Sequence, residues 1–342
     1  MSKSTEPLLE VKDLSVRITR DEGVVRPLNG VSFSIRAGQA VGVVGESGCG
    51  KTMTSNALLR ILPPQAEITR GHMRYRRKED ETVVDLAQLE AHGTEMRRIR
   101  GGDISMIFQE PMTAFSPVHS IANQIAEMVR LHDPVSPEEA RARVVELLDL
   151  VGIPDPDQRA DDYPFQLSGG MRQRAMIAMA LASKPRLLIA DEPTTALDVT
   201  VQARVLKLIQ RLQKELGLAL MLITHDLGVV AHTVEYVYVM YLGRVVEEGP
   251  VEKIFSEPAH PYTAALLQSI PSLTARTEQL QPIEGSVPSA YALPTGCPFH
   301  TRCTVQVGDV CRQEMPAHVE VGAGHFASCF AHTDQTKENA DA

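Results

Sequence analysis

The chain has 342 residues, 43% of them hydrophobic, and a formal net charge of −9. That size fits one large globular domain plus a smaller one. The negative balance argues against a nucleic-acid binder, which needs a basic face for phosphates. The one basic run, "RYRRKEDE" from Arg74, meets acids at once and reads as a solvated face.

In chain order, the N-terminus "MSKSTEPLLEVKD" lacks the apolar core of a signal peptide. No run of about 18 apolar residues predicts a membrane-spanning helix. A cytosolic chain with reduced thiols is expected. Four short apolar runs then each stop at a polar or glycine residue. "AVGVV" (40–44) meets Gly45, and "ISMIF" (104–108) meets Gln109. "LLIA" (187–190) meets Asp191 and Glu192, and "LALMLI" (218–223) meets Thr224, His225 and Asp226. Runs so short and apolar predict parallel strands covered on both faces.

Helical patterns lie between them. "SPEEARARVVELLDLVG" has Ser136 as N-cap, Glu139 at the capping-box position and Gly152 as its end. "VTVQARVLKLIQRLQKEL" (199–216) is amphipathic and is followed by Gly217. Strands alternating with helices predict an α/β fold with a mostly parallel sheet, whose ligand sits at the carboxyl ends of the strands.

The first strand end names that ligand. "GESGCGKT" comprises Gly45, Glu46, Ser47, Gly48, Cys49, Gly50, Lys51 and Thr52 and matches the P-loop pattern. Backbone N–H groups would curl around phosphates, Lys51 would reach the terminal ones, and Thr52 would bind Mg²⁺. The Cys49 thiol is read as incidental. At the third strand end, Asp191 would hold Mg²⁺ and Glu192 would polarise an attacking water. Gln109 and His225 fit contacts to metal, water and γ-phosphate; a lone Gln or His is more often structural.

After about residue 255 the chain turns proline-rich, from Pro258 to Pro298, which predicts an irregular wrap rather than long helices. Cys297, Cys303, Cys311 and Cys329 crowd this tail, with 5, 7 and 17 residues between them. Disulfides suit the cytosol poorly, and zinc usually takes ligand pairs two to four residues apart. Iron–sulfur spacing is more permissive. Four unrelated thiols remain open as well. The end, "DQTKENADA", reads as disordered.

"LSGGMRQR" (167–174) resembles the signature of ATP-binding cassette (ABC) proteins; Gln109 resembles their Q-loop, "TALD" (195–198) their D-loop and His225 their switch histidine. The resemblance implies a RecA-like P-loop core, an N-terminal antiparallel β subdomain and a helical subdomain at about 112–168. The cassette would span 1–255, a Cys-rich C-terminal domain 256–332 and a disordered tail 333–342. It implies that Ser168, Gly169, Gly170 and Asp198 meet, in trans, the ATP held by a second cassette. Mg²⁺ would be held through Thr52, Gln109 and Asp191.

"MIFQEPMTAFSPVHSI", "DEPTTALDVTVQA", "HPYTAALLQSIP" and "GCPFHTRC" resemble the ATPase subunits of dipeptide and oligopeptide importers. "GKTMTSNALLRILPP" resembles the first of their two ATPase subunits. This implies an ATP-hydrolysing motor on the cytoplasmic face of the inner membrane. Its partners would be a second ATPase in a heterodimer, two permease subunits and an extracytoplasmic solute-binding protein. Nickel, glutathione and oligosaccharides are alternative cargoes, and a soluble non-transport ATPase is a more distant one. Some such subunits carry a 4Fe–4S cluster in the tail, so the resemblance implies one on Cys297, Cys303, Cys311 and Cys329 that staples it. The family stacks adenine on an aromatic, but none lies between Leu8 and Val31. Ile18 stands near the matching position, with Arg17 and Arg20 as alternatives.

Overall fold

A computed structural model describes residues 6–110, 114–195, 197–269 and 283–333. Met112, Thr113, Ala196, Pro271, Pro282 and the terminus from residue 334 lie outside the described residues. The chain divides into two compact units. One takes Met1–Leu9, Ile35–Ala40 and Arg74–Ile223; the other takes Glu10–Ser34, Val41–Met73 and Thr224–Ala342.

In the first unit, strand Leu187–Asp191 lies between two parallel neighbours. It pairs with Ile104–Ile107 from Ile104↔Leu187 to Ile107↔Ala190, and with Ala219–Thr224 from Leu187↔Ala219 to Asp191↔Ile223. Every residue of Leu187–Asp191 and Ala219–Thr224 is buried, as their unbroken apolar runs require.

The helices begin and end on local chemistry. Ser136 accepts the Glu139 N–H at 3.2 Å and Glu139 accepts the Ser136 N–H at 3.0 Å, so the expected capping box opens Pro137–Leu150. Arg211 donates to the Leu150 carbonyl at 2.7 Å and Arg174 to that of Gly152 at 2.7 Å, which satisfies carbonyls left over at the helix end. Asp198 accepts the Thr200 and Val201 N–H groups, both at 3.0 Å, and opens Val199–Leu216. Gly217 closes that helix as expected.

In the second unit, Leu9–Arg20 and Gly23–Ile35 form a hairpin, and Ala66–Arg76 lies along the other edge of Leu9–Arg20. Val11, Leu14, Val16 and Ile18 are buried. The inward alternation slips by one residue at Asp13, whose φ is +58°. Ala40–Val44 runs parallel to Tyr236–Tyr241, from Val41↔Tyr236 to Val44↔Val239. Arg244–Pro250 folds back antiparallel to Tyr236–Tyr241.

The C-terminal region differs from the irregular wrap that its prolines predict. Pro261–Gln268 is a helix with proline in its first turn. His325–Ala327 adds to the edge of Arg244–Pro250, with Glu247 opposite Ala327, and Val319–Gly322 pairs beyond it. The segment thus finds its backbone partners on an existing sheet instead of making a core alone. Its side chains do the same. Phe299 packs edge-on to Tyr241, with ring centroids 5.3 Å apart, and lies 5.4 Å from Tyr262. Pairs of this kind contribute ~0.5–1.5 kcal/mol each beyond their burial.

Candidate nucleotide site

The strand Ala40–Val44 is wholly buried and delivers the chain to Gly45. Gly45 has φ +151°, and a Cβ there would lie 2.2 Å from the Met240 carbonyl oxygen. Gly50 has φ +107°, and its Cβ would lie 2.5 Å from the Pro27 oxygen. Any side chain at either position would open the loop, so both glycines follow from the close backbone approach. The helix Lys51–Leu58 starts on Gly50 with no side-chain cap. Its first N–H groups and positive dipole end suit an anion.

Lys51 is 6% exposed and donates from Nζ to the carbonyls of Gly45 at 2.7 Å and Glu46 at 3.1 Å. Thr52 and Ser47 are exposed on the loop side, as a hydroxyl meant for Mg²⁺ would be. Cys49 is buried, and burial pushes its thiol up against the opposing pull of Lys51. Its N–H is spent on the Glu46 carbonyl at 3.3 Å, so Cys49 packs as a small core residue.

The first unit carries the carboxylate pair. Asp191 ends its strand only 1% exposed. A carboxylate so buried fits a cation better than an apolar packing role. The next residue, Glu192, has φ +45°, a left-handed conformation that costs a non-glycine residue ~1–2 kcal/mol. The turn breaks the strand alternation and brings Glu192 to Gln109. Gln109 Nε2 donates to Glu192 Oε2 at 3.1 Å, and Thr195 Oγ1 donates to the same oxygen at 3.0 Å. Two of the expected catalytic residues are therefore in direct contact, and Thr195 joins them as an orienting donor.

Ser168 accepts the Met171 N–H at 3.3 Å and opens helix Gly169–Leu181. Ser168 and Gly169 are exposed, and a Cβ on Gly169 would meet nothing within 4 Å, whereas one on Gly170 would lie 3.1 Å from Val201. Asp198, expected to act in trans, also caps its own helix. In the second unit, His225 is exposed between Thr224 and Asp226, whose N–H donates to Thr224 Oγ1 at 3.0 Å. Ile18 is 8% exposed within the hairpin sheet. Arg17 is paired with Glu67.

The iron–sulfur expectation is overturned. Among the described residues, no group of three or more His, Cys, Asp or Glu side chains is placed to hold a metal ion. Burial pushes the Cys297 thiol up to about 11 and also raises Cys303 and Cys329, with neighbouring thiols acting in the same direction. The premise that this segment needs a metal staple fails because it borrows the sheet edge and aromatic core of its unit. It is also tied by Glu247, which is 0% exposed and accepts from His325 Nε2 at 2.7 Å and from the Ala259 and His260 N–H groups, both at 2.8 Å.

Two residues of this unit went unnoticed in the sequence. Arg302 forks onto Glu46, Nη1 to Oε2 at 2.7 Å and Nη2 to Oε1 at 3.2 Å. The Tyr262 hydroxyl accepts the Glu46 N–H at 2.8 Å. Separations of 256 and 216 residues leave no local signal for either contact.

Residues 28–195 match the family described as ABC transporter, and residues 246–311 match the oligopeptide/dipeptide transporter C-terminal region, which stops short of Cys329. A probable peptide ABC transporter ATP-binding protein, y4tR, of Sinorhizobium fredii is 49% identical over 325 residues, covering 94% of both chains. The dipeptide transport ATP-binding protein DppD of Bacillus subtilis is 45% identical over 336 residues, covering 98% of this chain and 97% of its own. Among solved structures, the dimeric post-hydrolysis ATP-binding cassette MJ0796 bound to ADP and Pi superposes with a TM-score of 0.62 at 26% identity, over 71% of this chain and 98% of that one. The structure of cbiO1 from Clostridium perfringens, part of the transporter complex cbiONQ, gives 0.61 at 26% identity, over 74% and 92%.

Proposed function

The chain belongs to the ATP-binding subunits of ABC transporters, and from that membership we propose that it powers the import of di- and oligopeptides. It binds ATP with Mg²⁺ and hydrolyses it as the motor of a transporter, working as a cassette dimer with membrane permeases. The peptide reading is carried by the C-terminal match at 246–311, together with relatives named as peptide importers along nearly the whole chain.

In this reading Lys51 and the N–H groups of the loop take the terminal phosphates. Thr52, Gln109 and Asp191 would hold Mg²⁺, which would neutralise phosphate charge. Gln109 and Thr195 fix the Glu192 carboxylate, which takes a proton from the attacking water. His225, exposed at its strand end, contacts the γ-phosphate. Ile18 offers adenine an apolar neighbour, and the lost stack weakens binding by about tenfold, ~1–2 kcal/mol. Ser168 and Gly169 open toward the nucleotide of a partner cassette, in keeping with the open space beside Gly169.

The partner is a second, non-identical cassette, two permeases complete the assembly, and a solute-binding protein delivers the peptide from outside. No helix among the described residues is long and apolar enough to cross a membrane. The chain would sit on the cytoplasmic face of the membrane, held by the permeases. Contact with a permease falls on Val118, 73% exposed, and on the exposed His119.

The test is uptake of a labelled dipeptide by cells lacking this subunit. The wild-type gene restores uptake, and Glu192→Gln does not. The purified Glu192→Gln protein keeps ATP affinity and loses at least ~100-fold in hydrolysis, the usual contribution of a general base. Hydrolysis within a few-fold of wild type removes Glu192 from that role; restored uptake of other solutes but not peptides removes the peptide reading.

A further inference from the structure

Glu46 is an awkward residue for its place. It follows the first glycine of a loop that must receive a highly anionic nucleotide, and a carboxylate there repels phosphate over several ångströms. The Glu46 carboxylate and N–H are held from the far end of the chain, while its carbonyl accepts locally from Lys51 and Cys49. Arg302 grips both carboxylate oxygens through its fork, and the Tyr262 hydroxyl takes the backbone N–H. The Arg302 side chain is 3% exposed. It would be costly to bury a guanidinium merely to pin a loop, yet this one is fully provided for. Beyond Glu46 it donates to the carbonyls of Glu284 at 3.1 Å and Ile283 at 3.3 Å, and it lies 5.9 Å from the ring centres of both Tyr241 and Phe299. Such a site holds a permanent positive charge against Glu46 with little freedom to leave.

We propose that Arg302 and Tyr262 are positioning residues of the nucleotide site: Arg302 cancels the Glu46 carboxylate so that the loop accepts phosphate, and Tyr262 fixes the peptide plane that follows Gly45. The C-terminal region thereby completes the phosphate loop of its own unit. Lys51, which donates to the Gly45 and Glu46 carbonyls, is then left to act on the nucleotide without a competing anion beside it.

The proposal separates from a purely structural tie by rescue. Binding of Mg-ATP to the purified full chain is measured for Arg302→Met, Glu46→Gln and the double variant. Arg302→Met unmasks the carboxylate and weakens binding by about tenfold, less so in ~0.5 M salt, where screening shortens the reach of the charge. Adding Glu46→Gln removes the unmasked charge and brings affinity back to within about threefold of wild type. A structural tie predicts that the double variant is no better than Arg302→Met, and that result overturns the proposal, as does Arg302→Met binding within twofold of wild type. Should Arg302→Met fail to fold, Arg302→Lys keeps the charge while losing the fork. It is expected to hold near wild-type affinity, and a tenfold loss there refutes the electrostatic role.

Discussion

The phosphate loop and the cysteine-rich segment belong to the same unit and touch each other, yet they are built on opposite terms. The loop is legible locally: eight consecutive residues carry its motif, because Gly45 and Gly50 occupy conformations and close approaches, to Met240 and Pro27, that no other residue tolerates. The cysteine-rich segment is held from a distance, by Glu247 on His325 across 78 residues and Arg302 on Glu46 across 256. A motif that encodes backbone shape can be trusted from its spacing. A crowd of one residue type, as at Cys297 to Cys329, encodes nothing until its neighbours are known.

The sharpest way to break this comparison is Glu247→Ala. It strips the acceptor from His325 and from two backbone donors, all in a fully buried place. A loss of ~3 kcal/mol is expected, since buried donors left unpaired cost about that together. Urea unfolding measures it. A loss under ~1 kcal/mol would mean that the segment is held elsewhere.

The same contrast sets how much of the molecule is legible in sequence. The parallel strands Leu187–Asp191 and Ala219–Thr224 follow from apolar runs, and the Ser136–Glu139 capping box from local spacing. Asp191 and Glu192 stand out because a strand end is where such sheets do chemistry. The sequence assigns Gln109 to metal, water and γ-phosphate and says nothing of its contact to Glu192; that contact depends on the left-handed turn at Glu192, which no residue type announces. The strand His325–Ala327 was missed because only three residues form it and its partner lies 78 residues upstream. Thr195, Tyr262 and Arg302 act by contacts that no spacing rule contains.

A smaller effect follows from His260, which starts the helix beside that network. Its Nδ1 accepts the Tyr262 N–H at 3.1 Å, so the neutral ring carries its proton on Nε2. Burial, with a minor push from His332, drives the imidazole down to about 3 from its ordinary 6.5. The folded chain therefore refuses a proton that the unfolded chain takes up. The sign follows: stability is intact above pH ~6.5 and is lost as pH falls toward 3, by up to ~1.4 kcal/mol per unit. His260→Asn keeps an acceptor for the helix cap and removes the titration. Between pH 7 and 5 the wild type should lose ~2 kcal/mol more than the variant in urea unfolding. Parallel curves for the two proteins would show that the buried ring carries no pH dependence.

The smallest expected effect bears most directly on the comparison. If the cysteine-rich segment is held by Arg302, Phe299 and the added strands, its thiols are ordinary side chains. Cys303 is partly exposed, and burial raises its thiol, so serine replaces one neutral, weakly bonding group with another. The hydrogen bonds around it use the Cys303 backbone: its N–H donates to the His300 carbonyl at 3.4 Å, and its carbonyl accepts from Gln306 Nε2 at 3.4 Å. Serine leaves both in place. Cys303→Ser should therefore cost less than ~1 kcal/mol in urea unfolding, in the range of an ordinary substitution away from any buried network. A chelator should leave the wild-type unfolding curve where it was. A loss of several kcal/mol from Cys303→Ser would reverse the lesson, because it would make the sulfur atoms, and not the distant contacts, what holds the segment to its unit.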